Sequence, residues 1–313
     1  MASEIVRGST TASLELRVEQ MRFCEDFTDY ELIDANNGER LERWGRVILR
    51  RPDPQVIWNL PTDKSLWNKA DAVYHRSNSG GGYWEKIKKV PDVWTIGYKN
   101  LKFNLKPMGF KHTGLFPEQA VNWNLVSDLI KKANRKADRK VKVLNLFAYT
   151  GGATLACLAA GAEVTHVDAS KGMVLWAKEN SVVSNLADRP VRWLVDDCIK
   201  FLKREIRRGN KYDGIIMDPP SYGRGPGGEV WKFETGIGEL LDLTSKLLSD
   251  DAIFLLINSY TTGMSPTVLK YIVSEFVEKK LGGTVTSDEI GLKVSKRNII
   301  MPAGNTTVWK LDE

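Results

Sequence analysis

Apolar and polar positions follow two different patterns along the chain, and the change comes near residue 110. Before this point, short β-like runs such as YELID, RVILR, VWTIGY and LKFNL are separated by turn-forming stretches such as NNGE and RPDP. After it, strand-length apolar runs alternate with helix-length segments: VKVLNLF, AEVTHVD, VRWLVD, YDGIIMD and AIFLLIN. The first pattern predicts a β-rich lobe, and the second predicts βαβ units around a parallel sheet.

These patterns predict an α/β fold with three regions. Residues 1–25 form an N-terminal extension with an amphipathic helix over residues 14–23, and residues 26–109 form a small β-rich lobe, a substrate-recognition unit or lid. Residues 110–313 form the main domain, in which a helix begins after Ser265 and the runs GGTVTSDEIGL and NTTVWKLDE add two strands. We therefore expect a doubly wound, mostly parallel sheet of seven strands with the smaller lobe attached.

Composition narrows the class of protein. The 313 residues are 42% hydrophobic, the longest apolar runs are strand-sized, and the N-terminus has no continuous apolar segment. We therefore expect a cytoplasmic protein without a membrane span. The three cysteines, Cys24, Cys157 and Cys198, show no CxxC spacing, so we expect no metal site.

The net charge of +6 is concentrated in the run KKANRKADRKVK. Two interpretations remain open for its basic residues, which include Lys131, Lys132 and Arg135. They could form the solvated end of a helix, where cations favour the helix dipole. They could also contact the phosphates of a nucleic acid.

Acidic residues follow three successive strands of the predicted sheet: Asp168, Asp197 and Asp218. Ligands on such sheets bind beyond the carboxyl ends of the strands. The turn NLFAYTGGAT after the first strand lets a ligand approach the backbone, but it lacks the GxGxxG spacing of a pyrophosphate site. Three carboxylates suit a ligand with a ribose, an adenine amine and a cationic sulfonium better than they suit a dinucleotide.

The stretch DPPSYGRGPGG follows the fourth strand. A carboxylate beside a proline carbonyl forms an acceptor pair for a planar N–H donor, such as the amine or ring edge of a base. Tyr222 could stack on that base. The glycine-rich continuation predicts a mobile flap, from which Arg224 and Lys232 could reach phosphate.

Together, NLFAYTGG, HVDAS, DD and DPPSYGRG resemble the class I S-adenosylmethionine-dependent methyltransferases. The chain is similar in particular to the bacterial large-subunit ribosomal RNA methyltransferases of the 5-methylcytosine and 7-methylguanine type, without their N-terminal RNA-binding domain. FKHTGLFPEQAVNW is similar to that family's Thr-Gly-x-Phe-x-Asp-Gln segment, with Glu118 in place of Asp. His112 stands in the family's lysine position, with Lys111 one residue earlier. The resemblance covers residues 110–313 and, more weakly, the lobe.

The resemblance implies a Rossmann-like methyltransferase domain over residues 110–313, with S-adenosylmethionine as cofactor. The implied cofactor-binding residues are Thr113, Phe116, Gln119, Asn145, Phe147, Ala148, Tyr149, Thr150, Gly151, Asp168, Ala169, Asp197 and Cys198. The residues implied to hold the methyl acceptor are Asp218, Pro219, Pro220 and Tyr222. Phosphate contacts would come from Arg224, Lys232 and the basic run.

The predicted reaction is methylation of a base nitrogen. Methylation at carbon 5 of a pyrimidine needs a cysteine nucleophile, but the fifth strand carries INSYTTGM, with Asn258, Ser259 and Tyr260 where a cysteine would be expected. We expect an RNA methyltransferase, acting on ribosomal RNA as a monomer or weak dimer. Two alternatives stay open: methylation of a protein or small molecule, and a catalytically silent RNA-binding assembly factor.

Overall fold

The structure, a computed structural model, describes residues 21–77, 81–134, 139–225 and 227–311. Most of the predicted N-terminal helix and Arg135 of the basic run lie outside these residues. Where the helix was expected to end, Arg22–Phe23 instead forms a short strand.

The predicted β-rich lobe is confirmed. Its short helix α1 spans Lys64–Trp67. Its strands are Arg22–Phe23 (β1), Tyr30–Asn36 (β2), Glu39–Trp44 (β3), Val47–Pro52 (β4), Ala72–Arg76 (β5), Gly82–Lys86 (β6), Trp94–Tyr98 (β7) and Leu101–Leu105 (β8).

The main domain begins with a 3-10 turn, Pro117–Gln119, and contains the predicted strand and helix alternation. Its helices are Ala120–Asn134 (α2), Gly152–Ala159 (α3), Lys171–Val183 (α4), Cys198–Arg207 (α5), Phe233–Ser245 (α6), Pro266–Val273 (α7) and Lys279–Leu281 (α8), with a π-helical turn at Ser274–Glu278. Its strands are Lys142–Leu146 (β9), Glu163–Asp168 (β10), Val191–Val195 (β11), Gly214–Met217 (β12), Tyr222–Arg224 (β13), Val230–Lys232 (β14), Phe254–Ser259 (β15), Thr284–Val294 (β16) and Ile299–Lys310 (β17).

The main-domain sheet has the order β11-β10-β9-β12-β15-β17-β16. Strands β9 to β12 and β15 pair in parallel, and β17 is antiparallel to both of its neighbours. This confirms the doubly wound, seven-stranded, mostly parallel fold. The central strands β9, β12 and β15 are almost entirely buried, as strands covered by helices on both faces should be.

Capping side chains fix where the main helices begin. Ser170 accepts a hydrogen bond from the backbone of Met173, Asp197 from Lys200, and Ser265 from Val268. The predicted start of α7 after Ser265 is thus confirmed. None of the helices in the described ranges is long and apolar enough to cross a membrane.

The lobe continues the sheet of the main domain. β16 pairs in parallel with β1 and with β2, and β3, β4, β5 and β6 follow in order from β2. Aromatic rings of the lobe also pack on α2: the ring centroids of Phe103 and Trp123 lie 5.3 Å apart, and those of Tyr98 and Trp123 lie 5.7 Å apart. Sheet pairing and a shared core therefore both hold the lobe against the main domain.

The topological switch point lies at the carboxyl ends of β9 and β12. These two strands are neighbours in the sheet, yet β10 and β11 continue from one side of β9 and β15 from the other side of β12. The register pairs Leu146 with Met217, so the next residues, Phe147 and Asp218, emerge side by side. This is the location where doubly wound sheets bind their ligands.

Part of the basic run has a structural role at the opposite edge of the sheet. Arg139 donates to both carboxylate oxygens of Asp213, at 2.6 and 2.8 Å. Asp213 is buried and also accepts hydrogen bonds from Lys142 N and Ser249 Oγ. Burial alone would raise the pKa of Asp213, but these hydrogen bonds outweigh burial and lower it. Asp213 therefore ties three segments together where β9 and β12 begin.

We predict that Arg139→Gln lowers the free energy of unfolding by about 1–3 kcal/mol, because it leaves a buried carboxylate without its charged partner. The stability gained from a carboxylate with a lowered pKa is lost as the pH falls through that pKa. The cost of the substitution should therefore shrink from pH 7 towards pH 3. Urea unfolding at both pH values measures it. Arg207→Gln is the matched control, since Arg207 is exposed and has no carboxylate partner in the described chain. Equal losses in both variants would contradict the assignment.

Candidate functional site

Two adjoining cavities open at the carboxyl edge of the sheet. The outer cavity measures about 460 Å³ and the inner cavity about 50 Å³. Both are lined by Phe116, Phe147, Tyr149 and Asp218. The outer cavity has the size and partly apolar lining of a small-molecule site.

The turn after β9 forms the wall between the two cavities. Phe147 and Tyr149 both have positive φ values, 54° and 49°, which non-glycine residues adopt at a cost that often marks a functional site. Tyr149 N donates to Asp168 Oδ2 at 2.8 Å, and Thr150 Oγ1 donates to the Gly114 carbonyl at 2.5 Å. These bonds connect the turn to β10 and to the segment before the 3-10 turn, and so hold it in this strained conformation.

The glycine pair of this turn has a packing role. Gly151 has a φ of 86°, and Gly152 lies where a Cβ atom would come within 2.7 Å of the Trp123 ring. Gly152 lines the inner cavity, whereas Gly151 lines neither. The glycines are thus explained by backbone conformation and by close packing of α3 against α2.

Two of the three predicted acids line the outer cavity from β10 and β11. Asp168 accepts one backbone hydrogen bond on each carboxylate oxygen, from Tyr149 and from Ser170, both at 2.8 Å. Each oxygen keeps a lone pair for a ligand hydroxyl. Burial nevertheless raises the pKa of Asp168. Asp197 caps α5, beside the buried Cys198.

The third acid, Asp218, faces both cavities. Its backbone N–H donates to the Leu146 carbonyl, but its carboxylate has no hydrogen bond or ion pair with any residue that the structure describes. Burial raises its pKa to about 7, and the charge of Glu118 adds to this. Glu118 is itself buried, and its Oε2 atom has no hydrogen-bond partner among the described residues. The site therefore holds acceptor atoms that the protein itself leaves unfilled.

Aromatic rings enclose these acceptors. The Phe116 ring lies 5.5 Å from that of Tyr149 and 5.9 Å from that of Tyr260. On the other side, Phe147 and Trp231 lie 5.4 Å apart. Flat rings on both sides of a carboxylate suit a planar ligand.

The hairpin of β13 and β14 forms the flap over the outer cavity. Trp231 Nε1 donates to the Pro220 carbonyl at 2.6 Å, and Glu229 forms an ion pair with Lys200 of α5. Gly223, Arg224 and Gly225 line the cavity from this hairpin. Tyr222 points elsewhere: it is 53% exposed and outside the lining. The ring that the flap contributes to the cavity is therefore that of Trp231, and the ring of Tyr222 lies outside the lining.

Most of the predicted site residues meet at these cavities. Those that line one or both are Phe116, Gln119, Asn145, Phe147, Ala148, Tyr149, Thr150, Asp168, Ala169, Asp197, Cys198, Asp218, Pro219, Pro220 and Arg224. Those outside the lining are Thr113, Gly151, Tyr222, Lys232, Lys131 and Lys132.

Lys131 and Lys132 lie near the end of α2, far from the cavities. Asn134, the last residue of α2, accepts a hydrogen bond from Val141 N, just before β9 begins. This is the amino edge of the sheet, whereas the cavities lie at its carboxyl edge. Lys131 and Lys132 are therefore not part of the same site.

Sequence reasoning missed a buried polar network behind the aromatic rings. Gln119 Nε2 donates to Tyr260 Oη at 2.6 Å, while Gln119 Oε1 accepts from Asn122 Nδ2 at 2.9 Å and from Asn258 Nδ2 at 3.3 Å. The network fixes the ring of Tyr260 at the cavity. The signal was present in INSYTTGM, where two polar residues, Asn258 and Ser259, interrupt a buried strand.

The lining chemistry fits a cationic adenosine derivative. Three carboxylates face the outer cavity, and among its described lining residues Arg224 is the only cation. The apolar lining residues next to these acids in sequence, Ala169 after Asp168 and Ile199 after Asp197, suit the faces of a base. A polyphosphate would meet net negative charge here.

Comparisons with solved structures agree with this fold. A crystal structure of an S-adenosylmethionine-dependent methyltransferase from Agrobacterium tumefaciens is 35% identical, with a TM-score of 0.88 and a match over 94% of each chain. An S-adenosylmethionine-dependent methyltransferase from Streptococcus mutans shares the fold at 18% identity, with a TM-score of 0.70 over 91% of this chain and 76% of that one.

Sequence comparisons point the same way. The ribosomal RNA large subunit methyltransferase K/L of Shewanella frigidimarina is 34% identical over 173 residues, which are 54% of this chain and 23% of that protein. The protein of the same name from Pseudoalteromonas atlantica is 35% identical over 170 residues, with 54% and 22% covered. The chain thus spans less than a quarter of the length of these relatives.

A profile of the S-adenosylmethionine-dependent methyltransferases matches residues 72–257, more than half of the chain. The protein therefore belongs to this family and uses S-adenosylmethionine as its cofactor.

Proposed function

We propose that this methyltransferase modifies a base nitrogen in RNA, and that the RNA is that of the large ribosomal subunit. The observation that carries the proposal is the Asp218 carboxylate, which faces the cavities without a partner in the described chain. Relatives named ribosomal RNA large subunit methyltransferase K/L support the choice of RNA. We also propose that the protein is cytoplasmic and acts as a monomer or weak dimer.

The proposed roles divide the cavities between cofactor and acceptor. Asp168 binds the ribose hydroxyls, and Asp197 and Cys198 lie along the adenine. Residues 147–150 surround the methionine moiety near the inner cavity. Asp218, Pro219 and Pro220 hold the base that is methylated, and Trp231 and Tyr260 replace Tyr222 as its ring partners. Bound S-adenosylmethionine supplies a methyl group on a positively charged sulfur.

Asp218 has two proposed roles in the chemistry. Its carboxylate accepts a hydrogen bond from an N–H of the base, which orients the nitrogen lone pair. A nitrogen that carries this N–H, such as an exocyclic amine, must lose a proton when it gains the methyl group. A carboxylate whose pKa is raised by burial to about 7 can take that proton near neutral pH. One side chain thus positions the acceptor and receives its proton.

A covalent mechanism finds no support at this site. Cys198 is the only cysteine among the described lining residues, and it is buried at the first turn of α5. Burial raises the pKa of its thiol, so almost none of it is the reactive thiolate. A nitrogen nucleophile needs no such thiolate, so nitrogen is the favoured acceptor.

The first test is methyl transfer to RNA. We expect the protein to transfer labelled methyl from S-adenosylmethionine to protein-free large-subunit ribosomal RNA, and mass spectrometry of the digested nucleosides should find the label on a base nitrogen. Small-subunit RNA and bulk protein serve as alternative acceptors. Label on carbon 5 of a pyrimidine, on protein, or nowhere would each reject the proposal.

Asp218→Asn should lower kcat by about a hundredfold or more, because it removes the charge and the proton acceptor. It should also stabilise the ligand-free protein. A carboxyl whose pKa is raised in the folded state loses its stabilising effect as the pH rises through that pKa. Thermal unfolding should therefore give a higher Tm for the variant at pH 8 and an equal Tm at about pH 3, below the pKa of the unfolded carboxyl. Asp188→Asn, at an exposed position, is the control. A variant with full turnover would exclude Asp218 from the chemistry.

Cys198→Ala should keep kcat within about tenfold of the wild type at saturating cofactor, because no covalent intermediate forms. Its KM for S-adenosylmethionine is expected to rise, since the thiol lies against the proposed adenine site. Steady-state kinetics separates the two effects. Complete loss of turnover, with cofactor binding intact by calorimetry, would instead point to a nucleophilic cysteine.

A further inference from the structure

A group of cations lies where the lobe meets the cavity. β4 and β5 run in parallel with Arg50 opposite Val73, so both strands end on the same side of the lobe, β4 at Pro52 and β5 at Arg76. The segment before the 3-10 turn crosses this point. Arg51 donates to the Lys111 carbonyl at 2.8 Å, and Lys111 Nζ lies 3.4 Å from the Pro52 carbonyl. Arg76 at the end of β5 is also close enough for its charge to lower the pKa of Lys111, so both cations lie near the ends of these two lobe strands.

The other charges of this group are already paired. Arg51 makes two hydrogen bonds with Glu42, at 2.6 and 2.8 Å. Arg40 lies 3.1 Å from Asp53 and 3.7 Å from Glu42. In the part of the chain that the structure describes, neither Lys111 nor Arg76 has an ion pair with a carboxylate. The surplus positive charge of the group is thus on these two side chains.

Lys111 is an unfavourable residue for the fold. It is half-buried, and burial lowers its pKa to about 8, with repulsion from Arg40, Arg51 and Arg76 outweighing the attraction of Asp53. A partly buried cation without an anion costs stability. Residues that cost stability in this way are commonly found at functional sites, where they bind a ligand.

The position of Lys111 relative to the cavity indicates the ligand. The ring of the next residue, His112, lies 5.2 Å from the ring of Phe116, which lines both cavities. Burial lowers the pKa of His112 to about 3, so it is uncharged near neutral pH. If one base of a nucleic acid enters the cavity, the phosphates on either side of that base remain outside the cavity. They would then lie within reach of Lys111.

We propose that Lys111 and Arg76 form a phosphate-binding site for the RNA backbone next to the base held by Asp218. The site rests on the proposed RNA substrate. It gives the β-rich lobe a direct part in substrate binding, because β4 and β5 supply Arg76 and the carbonyl that Lys111 contacts. Arg224 lines the outer cavity from the flap, a different element, and would contact a different part of the backbone.

The binding test uses Lys111→Met, Lys111→Arg and Arg76→Gln, with protein-free large-subunit ribosomal RNA titrated from 50 to 200 mM salt. Removing one phosphate contact should reduce the slope of log affinity against log salt by about 0.7–0.9, so Kd should vary about threefold less over this range. Lys111→Met and Arg76→Gln should both show this change, and Lys111→Arg should behave as the wild type. Calorimetry should give an unchanged Kd for S-adenosylmethionine in all three.

Two further measurements follow from Lys111 itself. RNA affinity of the wild type should fall from pH 7 to pH 9 as Lys111 loses its proton, and Lys111→Arg should abolish this fall. Lys111→Met should raise the Tm of the free protein, since the pKa of Lys111 is lowered in the folded state and its charged form opposes folding. Lys111→Gln provides a second uncharged variant if the Met variant folds poorly.

Arg207→Gln is the control for total charge, since Arg207 is exposed at the end of α5 and lies outside the basic run. The proposed site is overturned if Arg207→Gln changes the salt slope as much as Lys111→Met does, or if neither Lys111→Met nor Arg76→Gln changes it. The outcome is separable from the RNA-methylation test. If the wild type methylates the RNA and the variants keep its salt slope, only the phosphate site is rejected. If the variants change the salt slope but no methyl group is transferred, only the reaction is rejected.

Discussion

The pairing of β9 with β12 is the constraint on which the site depends. Because Leu146 is opposite Met217, the strained turn at Phe147 and the acid at Asp218 leave the sheet at the same point. A shift of one residue would turn Asp218 to the other face of the sheet. The buried side chains of both strands fix this register, so the packing of the core determines where the proposed acceptor site lies.

The site contains polar atoms that the fold itself does not satisfy. Glu118 Oε2 and the Asp218 carboxylate lack hydrogen-bond partners among the described residues, and both groups are ionised only at a cost because burial raises their pKa values. A cofactor that carries positive charge reduces this cost when it binds. In the proposed binding mode, the unfavourable burial of these carboxylates is offset when the cationic cofactor and the base bind.

Local sequence was enough to predict the five parallel strands and most of the residues that meet at their ends. Each strand is a continuous apolar run, and parallel strands end at one edge, so an acid after a strand is placed there without knowledge of any distant contact. Trp231 and Tyr260 could not be placed in this way. Trp231 reaches the cavity through a hydrogen bond to Pro220, and Tyr260 through one to Gln119, 141 residues away in sequence. The join between β16 and β2 is equally non-local, so the sequence showed a separate lobe where the structure has a continuous sheet.

The continuous sheet explains how the proposed site would take two ligands of opposite charge. Carboxylates of the main domain make the cavity negative, which suits a cationic cofactor. Lys111 and Arg76, which have no carboxylate partner among the described residues, lie where the lobe joins the main domain. The ring of His112, which is uncharged near neutral pH, packs beside that of Phe116, so aromatic rings make the contact between Lys111's segment and the cavity lining. β16 holds the lobe in place by pairing with β2 on one side and with β17 on the other.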